Sequence, residues 1–464
     1  MVLGVIGYVV LVFLATNEVN IKNVIPPFLI LILFQDTIQN LLGPAGVFLT
    51  YLDEMFVFIC IPALIINFLR GKKIFGGLIF LAIVGVLFFG TMSSINNNNP
   101  FNISLQGMQL MIKGLLYLFV FSNISFSNSD LLKYVKWVKY AALGVLFFSL
   151  VDLAAPSAFR SLIGIKTSVD YRLGIASLQS LFIHPGIYGW FMAFIGVYLA
   201  VNYKVQSDFR YFYFACIFFF FAVLSFRFKT IIAILVIISI FYLISGIKNV
   251  LTLIIPVTII SVVIFLLAGN YLVELTDLTV SRYVEVDVMK SARKAMYHFA
   301  FVIANTNFPF GVGFGRYGGF IAREEYSPVY YEYGMNNIYG LSPENPIWAT
   351  DTYWPYILGE LGYCGTIILL VLFAYLLIKL FSNYKNIGNK IAKSFVLFAA
   401  FVLIQALVES FGEPVFNSSP QSVFIFVTTG IGFSLICSQN KLLDSSNLKI
   451  VYQSDIVQKK ITER

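Results

Sequence analysis

Charge is scarce in this chain. Only 12% of its 464 residues are Asp, Glu, Lys or Arg, against about 25% in an average soluble domain. With 59% hydrophobic residues and a mean hydropathy of +0.85, there is more apolar surface than an aqueous core can absorb, which excludes a soluble globular protein. Histidine is scarcer still: His184 and His298 are the two in the chain. The four cysteines, Cys60, Cys216, Cys364 and Cys437, fall inside apolar runs without metal-ligand spacing. They read as small buried hydrophobes and not as a disulfide framework. HExxH, paired CxxC and Walker-type sequences are absent. A zinc site, a nucleotide-hydrolysing engine and a haem protein are therefore unsupported, and neither metal nor cofactor is expected.

What the chain has is apolar length. A membrane-spanning helix needs about 20 mostly apolar residues. Such runs occur at 1–16, 24–43, 47–69, 74–92, 104–123, 137–154, 186–203, 209–226, 229–247, 250–268, 353–380, 391–409 and 421–438. The expectation is an all-α polytopic membrane protein with about thirteen spans, in the range of roughly twelve to fourteen. The first run lacks the basic leader and small-residue cleavage site of a secretory signal, so it counts as a helix. The 48 Phe and 27 Tyr suit rings facing lipid or standing at headgroup level.

Lys and Arg set the orientation, because cytoplasmic connections carry the excess of positive charge. The connections bearing Arg70/Lys72/Lys73, Lys133/Lys136, Lys204/Arg210, Lys248 and Lys379/Lys385/Lys390 alternate with poor ones such as Asn96–Asn99. Thirteen spans put the rich connections and the Lys-bearing tail in the cytoplasm and the N-terminus outside. The expected organisation is ten helices over 1–268, interrupted by an outer loop at about 155–185. An extracytoplasmic loop over 269–352, three helices over 353–440 and a cytoplasmic tail over 441–464 complete it. The net charge of +8 is then a topology signal and no evidence for nucleic acid.

Two outer segments break the rule by being long and basic. One carries Arg160, Lys166 and Arg172; the other carries Arg282, Lys290, Arg293, Lys294, Arg316 and Arg323. Long loops cross regardless of charge, but a basic outer face would also gather an anionic substrate. Residues 281–304 space apolar positions helically with Lys290, Arg293, Lys294 and His298 between them, as an amphipathic helix near the outer leaflet would. FPFGVGFGRYGG follows, where glycines allow tight turns or close approach to a ligand. The stretch 323–350 is rich in Tyr, Glu, Asn and Pro, suiting sugar contacts or any irregular surface. DTYWPYILGELGYCG then enters the membrane, with Asp351 at its lip and Glu360 about two turns in.

Arg293, FPFGVGFGRYGG and 351-DTYWPYILGELGYCG together resemble the Wzy-type O-antigen and polysaccharide polymerases, whose scaffold the O-antigen ligases share. The glycine-rich turn ending a long outer loop and the Gly359, Gly362, Gly365 run carry the resemblance, with 225-SFRFKT and HPGIYGWFMAF as further matches. It covers roughly 170–380. It implies a GT-C-like membrane glycosyltransferase architecture in the bacterial inner membrane. It also implies an activity: joining undecaprenyl-diphosphate-linked oligosaccharides on the outer face, with membrane lipids and a chain-length regulator as partners. Ligases usually open the post-loop helix with His–Asn, whereas this chain has Asp351–Thr352, which favours a polymerase. A flippase or transporter would show internal repeats with matching broken helices, and none is visible.

Such a reaction needs cations where the leaving diphosphate develops charge, and guanidinium forks bind phosphate oxygens in pairs. Arg172, Arg227, Arg282, Arg293 and Arg316 are the diphosphate-binding candidates. The accepting hydroxyl needs a base, for which Asp351, His298 and Glu360 are the candidates. Each has a plainer reading: topology for Arg227, surface charge for the loop arginines, a helix cap for Asp351, an interfacial ring for His298 and helix packing for Glu360.

Overall fold

The computed structural model describes residues 2–165, 169–172, 174–245 and 287–439. The apolar run 250–268, together with Lys166, Lys248, Arg282 and the tail 441–464, lies outside them. Helix dominates, and the strand content among the described residues is one antiparallel pair, Tyr171–Arg172 against Ile175–Ala176.

Eight helices are long and apolar enough to cross a membrane: Gln35–Leu69, Gly77–Asn96, Phe101–Ser122, Asn128–Ala154, Pro185–Gln206, Tyr353–Asn386, Lys390–Glu409 and Gln421–Gln439. A ninth exists if the pair Ile6–Ala15 and Glu18–Leu33, bent by 104°, is one span. The chain is thus an all-α polytopic membrane protein. Near the N-terminus the apolar runs and the helices part company. Asn17, in the polar connection after the run 1–16, is extended and its side chain accepts the Val19 N–H, so a new helix starts at Glu18, ahead of the run 24–43. A second break at Phe34 carries the end of the run 24–43 into the span that continues to Leu69. The runs 209–226 and 229–247 form the shorter apolar helices Phe209–Val223 and Phe228–Ile244.

The span most enclosed by others is Gln421–Gln439, followed by Pro185–Gln206, where Tyr188, Trp190, Phe191, Met192 and Val197 are buried. Trp190, Phe191 and Phe194 pack edge-on against Phe424, and Phe194 against Phe398. Rings dominate this core because two torsions fix a large apolar area at small entropic cost. The outer surface is apolar too, with Leu69, Leu81, Phe147 and Leu243 exposed, as a lipid-facing surface requires.

The two ends of the bundle differ. At one, Lys22, Lys72 and Glu18 join Ser125 and Asp130, Lys133 reaches Asn23, and Lys204 feels Lys385. This is the basic end. The opposite end carries Asn97–Asn99, the 155–184 connection and the folded part of the long loop.

That loop has its own small core. In the helix Ala292–Thr306, Ala295, Met296, Ala300 and Ile303 pack with Val312, Tyr317, Tyr330, Met335 and Leu341. The amphipathic pattern of 281–304 is therefore met over 292–306 by protein contact, and residues 281–286 lie outside the described set.

Candidate functional site

At the loop end, residues far apart in sequence meet because five helices begin there: at Pro185, Phe228, Ala292, Tyr353 and Gln421. Each start leaves backbone N–H groups unpaired and presents the positive end of a helix dipole, an arrangement that favours anions. The functional side chains stand at or beside these starts. They are His184, Arg227, Lys229, Arg293, Asp351 and Gln421, joined by Asp170 and Arg172 from the hairpin and by Glu413.

Salt bridges organise them. Asp170 accepts from Arg172 Nε at 3.2 Å and from Arg227 Nη2 at 3.3 Å, and Arg172 Nη1 also donates to the Phe226 carbonyl at 3.0 Å. Lys229 pairs with Glu413, which also accepts Gln421 Nε2 at 3.0 Å. Arg293 Nη2 meets Asp351 Oδ2 at 3.3 Å, while its Nε has no hydrogen-bond partner among the described residues. Asp351 also feels the charges of Glu413 and Lys229, and His184 those of Arg227, Glu413, Lys229 and Asp170. These pairs thus share one electrostatic neighbourhood, with four cations against the carboxylates of Asp170, Asp351 and Glu413. Below it the buried Glu409 accepts Gln405 Nε2 at 3.2 Å.

Protonation follows from these contacts. Burial raises the Asp351 carboxyl above its ordinary range, with Arg293 pulling the other way. Glu413 ends below its ordinary value: burial pushes it up, but Lys229 and Gln421 outweigh that. His184 has a solvent-facing edge, yet the surrounding protein, followed by Arg227, pushes its pKa down to about 4. Its Nδ1 accepts the Gly186 N–H at 3.0 Å, capping the helix. In the neutral ring this leaves the proton on Nε2, making His184 a donor toward the site and not a base.

Of the residues singled out from the sequence, Arg172, Arg227, Arg293 and Asp351 come together here. Glu360 and Arg316 do other work. Glu360 is fully buried and accepts the backbone N–H groups of Arg316 at 2.8 Å and Tyr317 at 3.1 Å. Arg316 Nε donates to Asn99 Oδ1 at 3.1 Å. The glycine-rich turn makes its close approach to protein. Gly313 has φ +89°, and a Cβ there would lie 2.5 Å from Asn99 Nδ2. Ser93, Ser94, Asn97 and Asn99 hold the turn by hydrogen bonds to Gly311, Val312 and Phe314. Gly362, at φ +67°, kinks the following helix where a Cβ would meet the Phe310 carbonyl at 2.3 Å. His298 is exposed and lies five residues beyond Arg293, a turn of about 140° away around the helix. Arg282 lies outside the described residues.

Sequence reasoning missed Asp170, His184, Lys229, Glu409, Glu413 and Gln421 as site residues. A signal existed for Glu409 alone, an acid at the end of the apolar run 391–409. Beside the site runs an apolar groove of about 210 Å³ between Tyr297, Phe301, Trp354, Leu358 and Ile367. Tyr297 is one turn beyond Arg293. On the loop surface Tyr339 and Trp348 are exposed and meet edge-to-face at 5.1 Å. No family model matches the chain, and neither does any curated protein.

Proposed function

We propose that this protein polymerises undecaprenyl-diphosphate-linked oligosaccharide repeat units into O-antigen or capsule-like polysaccharide on the outer face of a bacterial inner membrane. The reading takes the loop end as extracytoplasmic and all thirteen apolar runs as membrane-embedded in a GT-C-like arrangement. The observation that carries it is the gathering of Arg172, Arg227, Lys229 and Arg293 at five helix starts, next to an apolar groove with exposed rim residues Phe301 and Ile367. A diphosphate ester on a lipid tail needs both features side by side. Exposed Tyr339 and Trp348 offer faces for sugar rings.

In the proposed step the bond from the anomeric carbon to the diphosphate oxygen breaks, and its electron pair stays on the phosphate. The acceptor hydroxyl forms the new bond and gives its proton to a base. Asp351 suits that role because it shares Arg293 with the incoming phosphate. When phosphate takes the guanidinium, Asp351 loses the neighbour that holds its pKa down while its burial remains, so it becomes a stronger base as substrate binds. His184 supplies a hydrogen-bond donor, and cations stabilise the leaving group where its charge develops. A ligase would use the same site with another acceptor, and Asp351–Thr352 in place of His–Asn favours the polymerase.

The test is purified protein with lipid-linked repeat units in detergent. Glycan ladders form without nucleotide sugar and persist in EDTA. Arg227→Ala abolishes them while Arg227→Lys restores a part, because Lys supplies a point charge and no fork. Full-rate ladders from both Arg227→Ala and Lys229→Ala would remove the cation cluster from the reaction. Lipid-linked units that cross vesicle membranes without being joined would mark a flippase.

A further inference from the structure

A large cavity lies at the basic end, remote from the site above. It is an elongated, mostly apolar groove of about 720 Å³ between the helices Asn128–Ala154, Pro185–Gln206, Phe209–Val223 and Lys390–Glu409. On the helix Pro185–Gln206 its lining runs from Phe194 to Gln206, about 18 Å at 1.5 Å per residue. One leaflet's hydrocarbon layer is about 15 Å, half of the roughly 30 Å core. The inner reach is lined by Phe194, Phe218 and Phe398, and the mouth at the basic end by Asn202, Gln206 and Arg210. Polarity therefore changes once along the groove, over one leaflet's depth.

Lys139 adds charge to this axis. It lines the groove, is exposed, and forms no salt bridge with a described carboxylate. Side chains on a helix tilt toward its N-terminus, and the helix Asn128–Ala154 begins at the basic end, so the Lys139 ammonium leans toward the mouth. There Arg210 is bound to Asp208 at 2.8 Å, which leaves Lys139 as the uncompensated charge. Asn202 and Gln206 bond to each other at 2.7 Å and supply further polar groups.

We propose that this groove binds one membrane phospholipid with an anionic headgroup, taken from the leaflet at the basic end. Its acyl chain lies along Phe194, Phe218 and Phe398, and its phosphate meets Lys139. A lysine without a carboxylate partner among the described residues, beside a dry aromatic trough, matches an anionic lipid better than a water-soluble anion. Basic pockets between helices on the cytoplasmic side are where such headgroups bind.

The experiment is native mass spectrometry of the purified full chain, first in detergent and then after addition of phosphatidylglycerol or phosphatidylcholine. The wild type retains one lipid and prefers phosphatidylglycerol. Lys139→Glu lowers that preference by at least about fivefold, the scale of one cation near an anionic headgroup. Leu199→Trp, which fills the trough, loses the bound lipid. A photo-crosslinking residue at Leu143, which lines the groove and is 44% exposed, keeps the test open if Leu199→Trp does not fold. Capture of phosphatidylglycerol there supports the site. Capture of residues 246–286 of this chain, or equal retention of both lipids by wild type and Lys139→Glu, overturns it.

Discussion

Two arginine–aspartate pairs at the loop end are chemically alike and physically opposite. Arg160 and Asp152 are 3% and 0% exposed, with a two-pronged contact at 2.8 and 3.2 Å. Arg160 also donates to the Ser177 carbonyl at 2.8 Å, and Asp152 accepts the N–H groups of Gln179 and Ser180. Arg293 and Asp351 are 38% and 39% exposed, touch once at 3.3 Å, and leave Arg293 Nε without a hydrogen-bond partner among the described residues. The first pair is sealed and doubly bonded, so it holds the 155–184 connection onto its helix. The second is open and half-satisfied, which suits a guanidinium that must accept a phosphate. Charge in a long loop therefore means little until its partners are counted.

Breaking the sealed pair has the largest expected effect. Arg160→Ala leaves a buried carboxylate without its cation, a loss of about 3–5 kcal/mol, enough to unfold much of the protein. Thermal unfolding in detergent should show a large drop in Tm, whereas Arg293→Ala should cost under about 1 kcal/mol. A stable Arg160→Ala protein would erase the distinction. Breaking the open pair should instead act on turnover. Arg293→Ala is expected to slow ladder formation about 10²- to 10³-fold at near-normal Tm, with Arg293→Lys in between. Arg293→Ala at the wild-type rate would return Arg293 to surface charge.

The class of the molecule was legible because it rests on composition, and the long spans 74–92, 104–123 and 391–409 appear as helices close to their apolar limits. The break at Phe34 was not, since it falls inside the apolar run 24–43 and leaves mean hydropathy unchanged, whereas the one at Asn17 follows the end of the run 1–16. In the site, Arg227 and Asp351 were legible as polar residues at span edges, and Arg293 as a cation on the amphipathic helix of the long loop. Glu360 and Arg316 carried the same signal, yet they anchor the glycine-rich turn, and only the fold separates an acid facing backbone N–H groups from one facing a cation. Asp170 and Glu413 were illegible for a related reason: their meaning comes from Arg227 and Lys229, which are 57 and 184 residues away.

The smallest expected effect concerns pH, and it sharpens the comparison by asking what else the open region holds. His184 has a folded pKa of about 4, below the ordinary value of about 6.5. The unfolded chain therefore binds more protons than the folded one between those limits, and stability rises with pH across that window. The contribution is fully present above about pH 6.5 and is lost as pH falls toward 4. Solvent at the exposed edge of the ring screens part of it, so the shift in Tm should be modest. His184→Gln can still accept the Gly186 N–H but cannot titrate, and its Tm should vary less than the wild type's between pH 6.5 and 4.5. Ladder formation should likewise lose no activity to imidazolium formation at pH 5.5, where His184 stays neutral. Wild-type and His184→Gln proteins with the same Tm profile over that range would show that the ring titrates near its ordinary value. That result would mean that neither burial nor the charges of Arg227 and Lys229 act on the ring as its position implies, and it would remove His184 from the site.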